Sequence, residues 1–186
     1  MLVIAVVVVL LAATLLGAWA LGLLNPPKEK VLVIAMSSDV ETMDPAKTSA
    51  MYGPPGMIYE TLVGRAFDGS YVKGLADYYK MNKTANGATF DITLHPGVKF
   101  HDGTPFNTKA VQRIINYYAN NKSWVQYEFY AVYGCVNKSG WPNKGIWLHD
   151  DLHMTLNLTW ADVALIFNLS HLYGSMMGPD ALESDG

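Results

Sequence analysis

The decisive stretch is Thr89-Phe90-Asp91-Ile92-Thr93-Leu94-His95-Pro96-Gly97-Val98-Lys99-Phe100-His101-Asp102-Gly103-Thr104-Pro105-Phe106-Asn107. Phe90, Ile92 and Leu94 alternate with Asp91 and Thr93, the two-residue period of a strand buried on one face. Pro96-Gly97 and Asp102-Gly103-Thr104-Pro105 are loop signals, because Gly tolerates positive φ and Pro fixes its own. Asn107 has the side chain of a helix N-cap. Beyond it, Val111, Ile114, Ile115 and Tyr118 share one stripe, which predicts a helix to about Asn120.

Working upstream, Tyr78 to Asn82 reads as a second strand, with Asn86-Gly87 as the hairpin turn. Pro54-Pro55-Gly56 leads into a short helix over Met57–Val63. Val31-Leu32-Val33-Ile34-Ala35-Met36 is apolar and rich in β-branched residues, which predicts a buried strand. Downstream, Trp124 to Tyr133 is aromatic-rich and reads as helix. Ile146–Leu148 and Leu152–Leu158 read as paired strands around Asp150-Asp151, and Trp160–Leu169 as a last helix. Strands and helices mix without a β-α-β rhythm, so the fold class is α+β.

The 186 residues carry 13 Lys+Arg against 16 Asp+Glu. That balance excludes a basic nucleic-acid binder held by phosphate contacts. One cysteine, Cys135, excludes a disulfide framework within the chain and a cysteine-built zinc finger. Residues 1–24 hold no charge and only Thr14, Gly17 and Gly22 outside the apolar set. As a helix, Leu2 to Leu24 would reach about 34 Å, against about 30 Å for a bilayer core. Ala18-Trp19-Ala20 is a small-x-small cleavage site. The leader (1–24) therefore reads as a signal peptide or a transmembrane anchor. Residues 25–30 form a linker opened by Asn25-Pro26-Pro27, and 31–186 form the body. Lys28 and Lys30 beyond the leader oppose export of that side under the positive-inside rule.

Asn-x-Ser/Thr occurs at Asn82, Asn121, Asn137, Asn157 and Asn168, where chance expects about one. Behind an export-like leader, these five are candidate glycosylation sites. The competing reading makes Asn-Lys-Ser and Asn-Lys-Thr plain turn residues. Asn168 lies in an apolar run and is the poorest acceptor.

Catalytic patterns are thin. His149 and His153, with Asp150 and Asp151, have metal-ligand spacing for a helix. They fall on strand pattern, where four residues span some 13 Å, so a surface hairpin explains them better. His101-Asp102 reads as a loop dipeptide before a tight turn. The sequence shows no nucleophile elbow, phosphate loop or His-Glu-x-x-His helix. We expect no enzyme, no metal and no cofactor; an exported hydrolase is a distant third reading.

Gly74-Leu75-Ala76, Thr89–Leu94 and Pro96–Phe106 together resemble the family 5 extracellular solute-binding proteins, the oligopeptide- and dipeptide-binding components of ABC importers. Thr42-Met43-Asp44-Pro45-Ala46 is similar to the family's Leu-Asp-Pro motif. Ile58–Val63 is similar to its first helix, and Asp150–Leu156 to one of its strands. His95 and Ala110 depart from it, where Arg and Asp are common. The resemblance implies the N-terminal lobe of a type II, Venus-flytrap periplasmic-binding-protein fold, truncated and preceded by one hydrophobic helix. It implies capture of extracellular peptides or similar small solutes for delivery to ABC permease subunits, outside the cytoplasm, on the cell surface or in the periplasm. By resemblance, Ser49, Ala50 and Met51 pair their backbone with an extended ligand, and Trp124 and Tyr127 line the site. Main-chain pairing suits varied peptides, since it ignores side-chain identity. A connecting loop is the competing reading for Ser49–Met51, and core packing for Trp124 and Tyr127. The alternative function is a membrane-tethered, glycosylated surface protein that uses the lobe for protein contacts.

Overall fold

The computed structural model describes residues 2–22, 30–36, 39, 40, 42–47, 54–120, 129, 131, 132 and 145–183. Two compact units result, Met1–Asp39 and Val40–Gly186. In the first, α1 runs from Leu2 to Ala20. Its 19 residues span about 28 Å, short of the expected run to Leu24. The stop has a cause: Gly22 takes φ 73° and its N–H donates to the Trp19 carbonyl at 3.0 Å, a turn only Gly enters freely. Among the described residues no helix is long and apolar enough to cross a membrane. Val31–Met36 also corrects expectation. It joins no strand ladder, and Val31, Leu32 and Val33 are 75%, 81% and 86% exposed. Apolar, β-branched sequence favours extension, but a strand exists only with a partner.

The second unit is built on a four-stranded antiparallel sheet in the order β3-β4-β6-β5. Here β3 is Ala76–Thr84, β4 is Gly87–Leu94, β5 is Ile146–Leu148 and β6 is His153–Leu158. On β4 the alternation holds, with Ala88, Phe90, Ile92 and Leu94 buried. Beside it on β6, Met154, Leu156 and Leu158 are buried too. The helix α3, Thr108–Asn120, adds its stripe of Val111, Ile114, Ile115 and Tyr118, all 0% exposed. Asn107 caps it, its Oδ1 accepting from the Ala110 N–H at 3.0 Å.

The β3–β4 hairpin turns one residue earlier than expected, on Ala85-Asn86, with Thr84 paired to Gly87. Gly87 is fixed by neighbours: a Cβ there would stand 2.1 Å from the Leu158 carbonyl oxygen. The expected helix over Met57–Val63 is cut short. Pro at the first turn starts α2 at Pro55, and it ends at Ile58. Val63–Arg65 instead forms β1, antiparallel to β2, Tyr71–Lys73. The expected Trp160–Leu169 helix shrinks to α4, Leu165–Leu169, followed by a 3-10 turn over Leu172–Gly174 and α5, Pro179–Glu183. The Trp124–Tyr133 helix lies almost wholly outside the described residues.

Candidate ligand cleft

Segments far apart in sequence meet beside β1. Thr61 and Ser175 form an antiparallel bridge, and the Met176 N–H donates to the Glu60 carbonyl at 2.8 Å. The Leu75 N–H donates to the Thr61 carbonyl at 2.9 Å. Gly74 makes that crossing feasible, because a Cβ there would lie 2.5 Å from the Thr61 oxygen. Between these strands and the β1–β2 hairpin opens a cleft of about 720 Å³, lined among others by Tyr59, Glu60, Arg65, Phe67 and His171. A smaller cavity of about 160 Å³ shares Tyr59 and Glu60 and reaches Phe100 and Met176.

Arg65 and His171 of the cleft lining belong to a ladder of rings. The Arg65 guanidinium sits 5.3 Å from the Phe167 ring centroid, Phe167 stacks on His171 at 5.2 Å, and His171 meets Tyr173 at 4.9 Å. His171 Nδ1 is buried without a hydrogen-bond partner. Burial, and then the charge of Arg65, hold His171 below the ordinary imidazole pKa.

Behind the cleft, Asp44 ties the Thr42–Lys47 turn to α3. Its Oδ2 accepts from the Tyr117 hydroxyl at 2.6 Å, and its Oδ1 accepts from the Ala46 N–H at 2.8 Å. Burial and the Asp44 charge raise the Tyr59 pKa, and the same causes raise Tyr118 further.

Ser49, Ala50, Met51, Trp124 and Tyr127 lie outside the described residues, as do Asn121 and Asn137. Asn82 sits within β3, not in a turn, and its Nδ2 donates to Asp91 at 2.7 Å. Asn157 is on β6, and Asn168 is 4% exposed in α4. His149 and His153 flank a hairpin: His153 Nδ1 lies 2.8 Å from Asp150, and His149 Nε2 lies 2.9 Å from Thr155. Among the described residues no group of three or more His, Cys, Asp or Glu could hold a metal. Asp102 folds the His101 loop by accepting from the Thr104 N–H and hydroxyl at 2.8 and 2.6 Å, which lowers its own pKa. The sequence reading singled out neither Arg65 nor His171; Asp68-Gly69, the turn between β1 and β2, signals the hairpin that carries Arg65, and His171 follows α4.

The chain is 31% identical to the glutathione-binding protein GsiB of Pectobacterium atrosepticum over 159 residues, 84% of this chain and 29% of that protein. GsiB of Salmonella typhi is 29% identical over the same length. Among solved structures, NikZ from Campylobacter jejuni, in complex with Ni(L-His), superposes with a TM-score of 0.64 at 20% identity, covering 78% of this chain and 27% of that one. Haemophilus influenzae OppA, in complex with RPPGFSPFR, gives 0.62 at 18%, covering 78% and 30%. The chain is similar in sequence to these glutathione-binding proteins and in fold to part of these solute-binding proteins. No protein-family model matches it. The fold is that of the type II periplasmic binding proteins, and the chain spans 29% of the length of these GsiB relatives. Two motifs that carried the family resemblance prove to be local folding devices here: Asp44 in its turn and Asp102 in its loop.

Proposed function

We propose that this lobe captures peptides or similar small solutes outside the cytoplasm and passes them to an ABC-type importer, without covalent chemistry. The observation that carries this is the identity with the glutathione-binding relatives across 84% of the chain. The open cleft supports it, since its volume lies in the range of small-ligand sites, about 300–1,000 Å³. Export rests on the apolar leader, and the permease subunits on the relationship alone. Ser49, Ala50 and Met51 offer main-chain groups to an extended ligand, with Trp124 and Tyr127 as aromatic walls.

The test is NMR titration of the chain with a mixed peptide pool and with glutathione. Saturable shifts in residues around the cleft support capture, and their absence at millimolar ligand refutes it. Ala50→Pro removes an N–H and blocks strand pairing, so it should weaken peptide binding. Unchanged affinity, with circular dichroism intact, removes Ser49–Met51 from the site.

A further inference from the structure

The four-stranded sheet has a second face, turned away from the core, which shares no residue with the cleft lining. On β4, Asp91 and Thr93 alternate with the buried set, and the register carries their side across the sheet. One row reads Lys80, Asp91, Thr155, Trp147, and the row beside it reads Tyr78, Thr93, His153. A chain of hydrogen bonds ties the middle together. Asn82 Nδ2 donates to the Asp91 carboxylate at 2.7 Å, and the Thr155 hydroxyl donates to its other oxygen at 2.8 Å. His149 Nε2 lies 2.9 Å from Thr155 Oγ1. A hydroxyl has one hydrogen, here directed at Asp91, so the Nε2–H donates to Thr155. Thr155 is 7% exposed and Asp91 half-buried, so the chain is built into the sheet. Two rings stand on the same face at opposite edges, Tyr78 on β3, 51% exposed, and Trp147 on β5, 46% exposed. Three strand spacings lie between them, about 14 Å.

We propose that this face binds a neutral oligosaccharide laid across the strands, with sugar rings on Tyr78 and Trp147 and hydroxyls on the Asn82–Asp91–Thr155–His149 chain. A sugar ring has apolar C–H faces and a rim of hydroxyls, so it needs aromatic surface flanking oriented donors and acceptors. The Asp91 carboxylate has further lone pairs to accept from a hydroxyl, and the Asn82 amide beside it has a second hydrogen to donate. The chain orients these groups before a ligand arrives, which lowers the ordering cost of binding. Charge excludes other polymers. Lys80 stands opposite Asp91, so the central row is close to neutral, and a nucleic acid would set its phosphates against the carboxylate. A peptide strand docks on the backbone groups of a sheet edge, whereas this face offers side chains. The span between the rings exceeds one sugar, so the ligand is an oligomer.

The experiment is a 1H–15N NMR titration of the full chain with cellohexaose and with cellobiose. Cellohexaose should shift the Trp147 indole and the Asp91 and Thr155 amides saturably. Trp147→Ala and Tyr78→Ala each remove one exposed ring and should weaken cellohexaose about tenfold, with circular dichroism unchanged. Asn82→Asp sets a second carboxylate beside Asp91 and removes the donor, so it should weaken binding as well. Cellobiose is too short to reach both rings and should bind the parent chain about as weakly as cellohexaose binds either ring variant. Arg65→Gln, in the cleft, should leave cellohexaose binding unchanged. No saturable shift at millimolar cellohexaose overturns the proposal. Shifts confined to the cleft, or shifts that survive both ring variants, overturn it too, and leave solute capture by the cleft standing. Equal affinity for cellobiose and cellohexaose overturns the two-ring span and the site with it.

Discussion

Asp44 shows how one side chain organises its surroundings. It accepts from a backbone N–H in its own turn and from the Tyr117 hydroxyl on α3, and Lys47 Nζ lies 3.5 Å away. A hydrogen bond to a charged group contributes about 1.5–3 kcal/mol. Tyr117→Phe should therefore cost about 2 kcal/mol in urea unfolding, and a cost below about 0.5 kcal/mol would deny the link any structural weight. Tyr118 is governed by burial. Its hydroxyl donates to the Ser175 carbonyl at 2.9 Å, and its folded pKa lies well above 10. An unfolded tyrosine ionises near pH 10, so this stabilisation is complete below that pH. It is lost as pH rises from 10 toward the folded value. Ultraviolet titration should find a tyrosine that ionises only together with loss of secondary structure. Ionisation of every tyrosine with the fold intact would contradict the burial of Tyr118.

Elements were legible where a local pattern decides them. Phe90, Ile92 and Leu94 mark their strand by alternation, and Asn107 marks its helix by a cap, so β4 and α3 follow from the residues themselves. The hairpin of β5 and β6 is likewise found where Asp150-Asp151 places its turn. Val63 was misassigned because apolar residues after a Pro suit a helix start equally well, and its true partner, Lys73, lies beyond a turn. Val31–Met36 failed for the reason that pairing is not written in one strand. Arg65, Glu60 and His171 were invisible as a site because the contacts that bring their segments together, among them the Thr61–Ser175 bridge and the Met176–Glu60 hydrogen bond, join residues over a hundred positions apart. The cap gives the element-scale prediction. Asn107→Ala should cost about 1 kcal/mol by urea unfolding, and Asn107→Asp should retain most of it. Equal stability of all three proteins would show that α3 is held by its buried stripe alone.

At the scale of the molecule, the cleft is open to water. Small ligands held tightly have about 70–90% of their surface buried, so an open cleft favours millimolar binding and rapid exchange. We propose that the leader sets where such binding takes place. Its helix stops at Ala20, the last residue of the small-x-small site, and Gly22 turns the chain just beyond. We propose cleavage after Ala20, where α1 and the small-x-small motif end together. Lys28 and Lys30 work against export, but they lie past the apolar core and follow it only after Asn25-Pro26-Pro27. Fusing residues 1–30 to a phosphatase that folds only in an oxidising exterior should therefore give an active enzyme. Mass spectrometry of the exported product should find its N-terminus at Leu21. Activity from a cytoplasm-only reporter in place of the phosphatase would refute export. An exported product that keeps Met1 would refute cleavage and restore the anchor.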